Sequence, residues 1–396
     1  MDRNTLKKIY PKRINPGIFL LILLLLFGMA QAQKSDTGKS STGTKSATAA
    51  KKPTKKKGMG INAEVGLAMG YDDNILKYSE KYLDRFMNGQ DSGRFHVNTY
   101  DDFILASSIA LDRNFKIFGK KTSTVDASYA YSWYTVNPIN NWSTMGIGFR
   151  QNFAKRASFK ISYSYIPEYY VRHFRDEDWV DVYGYTPITY QPYSFSKDTY
   201  GFWIQNTFFK NSRVQLTYNY QLYYHNEHYT EYDSKNHLYR IKLFQPLSKA
   251  LRLELMYQFT RSNAKGYDGP DESIDFSDDP DATFDEDGFV GGIVWNMPKI
   301  RKLTHSLKGE CVIYNRYYQT EQFVTVDPLH AGRIDKNLRF YFNYDISLSK
   351  QFSLNAYYNW LWRDSGSETI NDQYISDEKD YKQNQIGLEL KYNFKF

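Results

Sequence analysis

Short segments in which apolar and polar residues alternate recur along the chain from residue 61 onward. A period of two residues is typical of β-strands, because successive side chains of a strand point to opposite faces. The segments average about ten residues, which is the length that a tilted strand needs to cross a bilayer. Fourteen such segments are found, at 61–72, 103–112, 123–134, 143–153, 158–165, 198–209, 213–224, 237–244, 251–261, 289–296, 305–318, 335–348, 352–362 and 380–396.

The connections between these segments alternate in length. Those that follow odd-numbered segments average about 20 residues, and those that follow even-numbered segments average about six. Barrels of the outer membrane have this asymmetry because their periplasmic turns are short and their extracellular loops are free to be long. A soluble β-sandwich gives no reason for every second loop to be long. We therefore predict an all-β protein with a single transmembrane antiparallel up-and-down β-barrel of about 14 strands over residues 59–396.

Two N-terminal segments precede the predicted barrel. Basic residues, the apolar run IFLLILLLLFGMA and a small-residue site at Ala30-Gln31-Ala32 predict a secretory signal peptide over residues 1–32. Residues 33–58 are rich in Lys, Ser and Thr without aromatic or branched apolar residues, which predicts a disordered periplasmic tail. Together these segments hold more positive charge than the chain's net charge of +7, so the barrel region is mildly acidic. An exported protein of this kind is not expected to bind nucleic acid.

Each predicted strand has one apolar and one polar face. In 335–348, for example, Leu338, Phe340 and Phe342 alternate with Arg339 and Tyr341. Apolar faces that meet lipid leave the polar faces to line the interior. Fourteen strands enclose more space than their side chains fill, which predicts an aqueous lumen or one plugged by loops or the tail. The candidate pore-lining residues are Glu64, Asp126, Arg150, Lys160, Arg240, Lys242, Arg252, Glu254, Lys308, Glu310, Arg316, Arg339, Asp345, Glu389 and Lys391.

This candidate lining has two interpretations. Basic groups on neighbouring strands could raise the local concentration of anions and make the lumen selective. Alternatively, the charges form cross-strand ion pairs that only satisfy a wet wall. The sole cysteine, Cys311, excludes an intramolecular disulfide and is expected to act as a small apolar side chain.

The last segment of the chain, GLELKYNFKF, carries a resemblance to a known family. It ends on an aromatic residue and has apolar residues at every second position, like the C-terminal insertion signal of Gram-negative outer-membrane β-barrel proteins. The resemblance implies a porin-like protein of the bacterial outer membrane, in contact with outer-membrane lipids and inserted by the barrel assembly machinery. The insertion-signal residues would be Leu388, Leu390, Tyr392, Phe394 and Phe396.

A second resemblance concerns the end of the first segment. Gly70-Tyr71-Asp72-Asp73-Asn74 is similar to a Tyr-Asp-x-Asn strand end found in the barrel part of surface lipoprotein assembly modifiers. The match covers five residues, and the helical-repeat domain of those modifiers has no counterpart in this sequence. It implies, as an alternative to a channel, a barrel that assembles, translocates or binds surface proteins.

Residues 266–288 form a loop with ten carboxylates. Clustered carboxylate oxygens suit Ca²⁺, although the spacing does not match an EF-hand. Candidate metal ligands are Asp279, Asp281, Asp285 and Asp287, and the alternative is a solvated acidic loop. No other cofactor is expected.

A second long connection, 166–197, is rich in aromatic residues beside hydrogen-bonding side chains. Such a loop could bind a surface glycan or a client protein, or it could cover its own tyrosines at the barrel mouth. The residues concerned are Tyr169, Tyr170, Trp179, Tyr183, Tyr185, Tyr190 and Tyr193 with Arg172, Arg175 and Asp181.

His225, Glu227 and His228, with His237 nearby, form a weak metal or hydrolase motif. Zinc would need a third ligand that this spacing does not supply, so an enzyme is not predicted and a loop-borne hydrolase is the least favoured function. The favoured function is a channel for passive transport of small hydrophilic solutes. The alternative is the surface-protein assembly, translocation or binding barrel.

Overall fold

A computed structural model describes residues 60–395 except 120, 209, 210, 275, 302, 370 and 371. The predicted signal peptide, the predicted tail and Phe396 lie outside this part of the chain. The fold is a closed barrel of fourteen antiparallel strands in which each strand pairs with its neighbours in sequence. The strands are β1 (Ile61–Asp72), β2 (Asp102–Phe115), β3 (Ser123–Tyr134), β4 (Trp142–Asn152), β5 (Ala157–Arg175), β6 (Tyr190–Thr207), β7 (Arg213–His225), β8 (Ser234–Pro246), β9 (Leu251–Ala264), β10 (Phe284–Asn296), β11 (Thr304–Tyr318), β12 (Arg333–Ser347), β13 (Phe352–Ser367) and β14 (Tyr381–Lys395).

The barrel closes between its first and last strands. β1 and β14 pair in continuous register from Asn62 opposite Lys395 to Asp72 opposite Gln385. Closure gives the backbone N–H and C=O groups of both terminal strands a partner, so the sheet has no free edge. The predicted fold class and strand number are confirmed.

The connections alternate as the sequence predicts. Turns of a few residues follow the even-numbered strands, and the loops that follow odd-numbered strands lie at the opposite end, which is the extracellular end in proteins of this architecture. We call these loops L1 (73–101), L2 (135–141), L3 (176–189), L4 (226–233), L5 (265–283), L6 (319–332) and L7 (368–380).

Three short α-helices lie in these loops: α1 (Glu80–Met87) in L1, α2 (Glu177–Tyr183) in L3 and α3 (Asp372–Lys379) in L7. The Asp176 side chain accepts a hydrogen bond from the Trp179 N–H at 3.1 Å and so caps the start of α2. Gly184, with φ of +68°, ends it in the left-handed conformation that glycine adopts easily. None of the helices in the described part of the chain is long and apolar enough to span a membrane.

The predicted loop 166–197 is wrong in extent. β5 and β6 continue far beyond the predicted strand ends, and only 176–189 is loop. The pairing of β5 with β6 shifts register between Ile166 and Tyr169 and again between Tyr170 and Arg172. β-Bulges and Pro167, which has no N–H to donate, interrupt the two-residue period. The alternation that identifies a strand in the sequence is therefore lost where this hairpin rises above the barrel wall.

The outer face of the barrel is apolar and its inner face is polar. Large apolar side chains such as Leu67, Ile147, Ile293 and Leu388 are exposed on the outside. A sheet with this exterior has to be covered by lipid, because water would meet a continuous apolar surface. The described cluster of buried apolar residues lies instead at the long-loop end, where Ile75, Leu76, Tyr78 and Tyr82 of L1 pack with Tyr170 of β5.

Candidate functional site

The Tyr-Asp-x-Asn strand end forms hydrogen bonds to β14 where the barrel closes, and we call this set of bonds the seam clasp. Asp72 accepts hydrogen bonds from the side-chain amides of Gln383 and Gln385 at 2.8 to 2.9 Å. Asp73 accepts from the Asn384 N–H and side-chain amide, both at 2.7 Å. Asn74 donates to the carbonyl of Lys382 at 2.9 Å. Three consecutive side chains of β1 and L1 therefore bind β14, which explains the motif as a structural fastening.

L1 starts at this seam and crosses the barrel mouth. Asn74 exchanges two hydrogen bonds with the backbone of Tyr78, which shapes the turn that enters the mouth. Arg172 of β5 donates to the carbonyls of Leu76 and Lys77, the latter at 3.1 Å. Since β2, β3 and β4 separate β1 from β5 around the barrel, these contacts require L1 to extend over part of the opening.

L7 packs against L1 from the other side. The Tyr82 hydroxyl donates to Glu378, and Lys81 Nζ lies 3.0 Å from the same carboxylate. The Ser79 hydroxyl donates to the carbonyl of Asp377 at 2.5 Å. We call L1 and L7 together the cap. It narrows the long-loop end of the lumen.

A cavity of about 620 Å³ lies in the lumen on the turn side of the cap. Polar side chains of several strands surround it, including Asp72, Tyr134, Asn343, Tyr357 and Gln385. Tyr357 lies over Gly70 and Gly387, which are partners in the β1–β14 register. A Cβ at either glycine would collide with the Tyr357 hydroxyl, so the two glycines allow this ring to lie against the seam.

All fifteen candidate pore-lining residues lie on the inner face. The strand registers place each of them on the face opposite to exposed apolar residues such as Leu67 and Ile293. Their part in transport stays a prediction. Of the insertion-signal residues, Leu388, Leu390, Tyr392 and Phe394 lie on the outer face of β14, and Phe396 is outside the described residues. Their recognition by the assembly machinery also stays a prediction.

Most of the inner-face charges on the turn side of the mouth are paired. Glu254 is buried and contacts Lys242 Nζ at 2.8 Å and Arg252 Nη2 at 2.7 Å. Lys160 pairs with Asp126 at 2.8 Å, and Lys391 lies 3.2 Å from Glu389. Nearer the mouth, Arg316 pairs with Glu286 and lies opposite Asp335 in the strand register. Further pairs in the wall join Lys308 to Glu310 and Lys391 to Glu64. Here the ion-pair interpretation of the lining describes the geometry.

Cations at the mouth are arranged differently. Arg333 takes both oxygens of the buried Asp335 at 2.7 Å, and Arg363 reaches that carboxylate only at 4.0 Å. Within the described chain, Lys77, Arg172, Arg339 and Lys379 form no ion pair within 4 Å. We call Lys77, Arg172, Arg339, Arg363 and Lys379 the mouth cluster.

Of the mouth cluster, only Arg339 is among the predicted pore-lining residues. Arg363 has the same parity as Asn359 and Leu361, but it lies just past the predicted strand end at 362. The parity of β13 therefore carries the signal that places Arg363 on the inner face. Lys77 and Lys379 come from loops, and no periodic signal marks their direction.

The acidic loop 266–288 divides into separate environments. Asp279 joins Asp268 and Glu272 in a group whose carboxylate oxygens lie within 4.8 Å of one another. Burial, followed by the charge of Asp268, raises the pKa of Asp279 to about 6. Asp281 instead is fully buried and accepts from the backbone N–H groups of Thr283 and Glu321 at 2.9 and 3.1 Å, which joins L5 to L6.

The other two candidate metal ligands lie elsewhere. Asp285 and Asp287 are on β10, and Asp287 accepts from the Tyr257 hydroxyl at 2.5 Å. The structure thus brings one of the four candidate ligands, Asp279, into a carboxylate group. The Ca²⁺ prediction for this loop stays a prediction.

The histidines of the weak motif point to different partners. His228 Nδ1 lies 2.8 Å from Asp176, which joins L4 to L3. His225 Nε2 lies 3.0 Å from the Tyr193 hydroxyl, and His237 contacts the Tyr218 hydroxyl on the outer face. Among the described residues these side chains form no common metal site.

The aromatic residues of 166–197 fall into two groups. Tyr170 and Tyr190 are buried, and Arg175 lies over the Tyr190 ring at 4.2 Å. Tyr183 and Tyr185 are exposed at the tip formed by α2 and L3, together with Val182 and Ile188. One part of the segment therefore covers its own tyrosines, and the tip presents apolar and aromatic surface.

The sequence matches no protein-family model and no curated protein. In structure the chain is similar to a monoaromatic hydrocarbon channel, TodX, with a TM-score of 0.46 and 9% identity over 85% of this chain and 90% of that one. It is also similar to a bacterial polysaccharide outer membrane secretin, with a TM-score of 0.44 and 9% identity over 84% and 98% of the two chains. The outer membrane channel DcaP of Acinetobacter baumannii gives a TM-score of 0.41 and 12% identity over 85% and 98%. At these scores, the function has to be argued from this chain's own residues.

The closed fourteen-strand sheet and its apolar exterior define a membrane-spanning β-barrel of the porin-like class. A closed barrel with an even number of antiparallel strands is the architecture of bacterial outer-membrane proteins.

Proposed function

We propose that the protein is an outer-membrane channel that lets small hydrophilic solutes cross through the barrel lumen, past a cap that narrows its extracellular mouth. The observation that carries this proposal is the polar cavity of about 620 Å³ inside the closed wall. A barrel needed only as an anchor has no use for a water-accessible interior of this size, since fewer strands fill their own interior with side chains. The paired charges of the wall keep the passage hydrated without a large net field.

The cap limits the size of the solute. L1 is held by the seam clasp at one end and by Arg172 of β5, four strands around the barrel, so it bends in over the opening instead of extending into the medium. Its small apolar cluster adds packing to these hydrogen bonds. The channel is therefore expected to pass single sugars, amino acids or small organic ions more readily than oligomers.

Swelling of proteoliposomes in iso-osmotic solutes tests this proposal. Vesicles that contain the folded full chain should swell faster in a pentose or glycine than in a trisaccharide, while empty vesicles should not discriminate in this way. Swelling rates equal to those of empty vesicles for every solute, both for the full chain and for a variant with residues 75–98 replaced by a short Gly-Ser linker, would refute a channel.

A second candidate function rests on the exposed tip of L3. Val182, Tyr183, Tyr185 and Ile188 are exposed there, and Tyr185 is 82% exposed. Aromatic and apolar groups at the centre of a polar rim are typical of protein-binding surfaces, so the barrel would hold a surface client protein. Capture of the same surface protein by the full chain and by a Val182→Ser/Tyr185→Ser variant would count against this candidate. Loss of that capture in the variant alone would support it.

A further inference from the structure

The mouth cluster gathers five cations in one enclosed place. Arg172 and Lys379 both lie over the ring of Phe174, each at 5.6 Å from its centre, although they come from β5 and L7. The Arg363 Nε–H donates to the carbonyl of Lys379 at 2.7 Å. Lys77 is bound to Arg172 through its own carbonyl and interacts electrostatically with Arg339 and Arg363. Five elements of the fold, L1, β5, β12, β13 and L7, therefore bring like charges together.

The protein supplies little compensating charge to these cations. Asp335 already accepts hydrogen bonds from Nε and Nη2 of Arg333, and Arg363 lies 4.0 Å from it. Glu378, the acidic neighbour of Lys379, is bound by Lys81 and Tyr82. Burying cations without partners costs free energy, and an anion that binds between them would offset this cost.

Two donors of the cluster also lack partners. The buried Nε atoms of Arg172 and Arg339 have no hydrogen-bond acceptor within the described part of the chain. A guanidinium with an unused donor is suited to carboxylate or phosphate oxygens, which it binds in a fixed planar geometry. The pKa of Lys379 also reflects the positive charge gathered here. Burial lowers the pKa of Lys379 to about 7, and Arg333, Arg172 and Arg363 contribute to the shift.

The cluster lies on the path between the medium and the cavity. On β12 the cavity is lined by Tyr341 and Asn343, and Arg339 is the next inner-face residue toward the extracellular end. On β13 Asn359 lines the cavity, and Arg363 lies two inner-face positions closer to the mouth. A solute entering past the cap would therefore meet the cluster before it reaches the cavity.

We propose that Lys77, Arg172, Arg339, Arg363 and Lys379 form a binding site for the carboxylate or phosphate group of a small anionic solute. The site deepens the channel function, since it names anions as the preferred solutes and rests on the lumen being their path. The cap contributes Lys77 and Lys379, so binding of an anion draws the cap toward Arg172, Arg339 and Arg363 on the wall. An occupied site is consequently expected to stabilise the cap.

Binding to the folded full chain in detergent tests the site without any transport. Inorganic phosphate and succinate, each titrated at constant ionic strength with chloride as the balancing anion, should raise the thermal midpoint of the protein in a saturable way. The Lys379→Gln variant should bind both anions about tenfold more weakly. Lys235→Gln, which removes an exposed lysine near the same end of the barrel, is the matched control and should bind within about twofold of the unaltered chain.

Arg172→Gln is the second variant, since it removes a wall cation instead of a cap cation. If this variant does not fold, as judged by loss of the compact band on an unheated gel, Lys379→Gln alone decides the test, because the Lys379 ammonium forms no ion pair within the described part of the chain and lies 5.6 Å from the centre of the Phe174 ring. Equal stabilisation by phosphate, succinate and chloride, or equal affinities in Lys379→Gln and Lys235→Gln, would overturn the site. A protein that binds phosphate but passes no solute in vesicles keeps the site and loses the channel. A protein that passes neutral solutes and binds no anion does the reverse.

Discussion

Lys and Arg side chains have different surroundings in the barrel wall below the mouth and at the extracellular mouth itself. In the wall, Glu254 lies between Lys242 and Arg252, so each charge has a counter-charge on the same or a neighbouring strand. At the mouth, Asp335 is the carboxylate shared by Arg333 and Arg363, and four further cations have no ion pair within the described chain. The difference teaches that inner-face charges stay without ion pairs where neighbouring strands stop supplying partners and loops add charge of the same sign.

Removing Asp335 should have the largest effect on this comparison. Asp335→Asn leaves Arg333, which is 3% exposed, without its carboxylate, and the loss of one partner of a buried ion pair costs about 3 to 5 kcal/mol. Urea unfolding in detergent or vesicles measures this change. Asp345→Asn is the control on the same strand, because Asp345 is exposed and only accepts from Asn355 at 2.8 Å. Equal losses of stability in the two variants would show that Asp335 is held no more tightly than the exposed carboxylate of Asp345.

Glu254→Gln should make the wall resemble the mouth. The change leaves Lys242 and Arg252 without a carboxylate but keeps a hydrogen-bonding side chain of similar shape. We expect a stability loss of about 1 to 3 kcal/mol and a reversal potential in a KCl gradient that shifts toward anions. Glu389→Gln is a suitable second position, since Glu389 pairs with Lys391 near the cavity. A reversal potential unchanged in both variants would mean that ions do not pass these groups.

A pH dependence of anion preference should distinguish the two regions with the smallest effect. The Lys379 pKa is lowered to about 7 from an ordinary 10.5, so this group is charged below pH 7 and neutral above it. Anion affinity and anion preference should therefore fall between pH 6 and 8, and the fall should be weaker in Lys379→Gln. The charged or titratable groups that face Lys379 are Arg172 on β5, Arg333 on β12, Arg363 on β13, His330 in L6 and Glu378 on α3.

The sign of the stability change follows from proton binding. The unfolded chain keeps the proton of this lysine up to its ordinary pKa, whereas the folded chain releases it near pH 7. Through this group, the free energy of unfolding should rise with pH from about 7 toward 10. Burial lowers the pKa of His330 as well, so that histidine stays neutral across the same range and does not reverse the trend. An anion preference that increases from pH 6 to 8 would contradict the assignment.

The sequence predicts the wall well because the wall is periodic. A period of two identifies each strand that stays in the membrane, and its parity places residues such as Glu254 and Lys391 on the inner face without further information. Parity does not give depth, so it could not tell the paired Glu254 from the unpaired Arg339. The alternation also ends where strands bulge, which is why the sequence predicts a loop for the upper half of β5, including Arg172.

The cap could not be predicted because its contacts join positions far apart in the chain. Lys77 meets Arg172 through the folding of L1 across the mouth, and Tyr82 meets Glu378 at a separation of 296 residues. The Tyr-Asp-x-Asn strand end was the one local signal of this region. Its role as the seam clasp depends on the contacts of Asp72 with Gln383 and Gln385, which the sequence does not reveal.

Single-channel recording in planar bilayers tests the central claim most directly, because it compares the lumen with and without its cap. The full chain should give small, steady conductance steps, and replacement of residues 75–98 by a short Gly-Ser linker should increase the step size severalfold while it reduces anion preference, since Lys77 is removed with the loop. Shortening L5 between residues 268 and 279, outside the cap, is the control and should leave the step size nearly unchanged. Silence of both the full chain and the L1-shortened chain, or equal steps with and without L1, would contradict a channel that is narrowed by its cap.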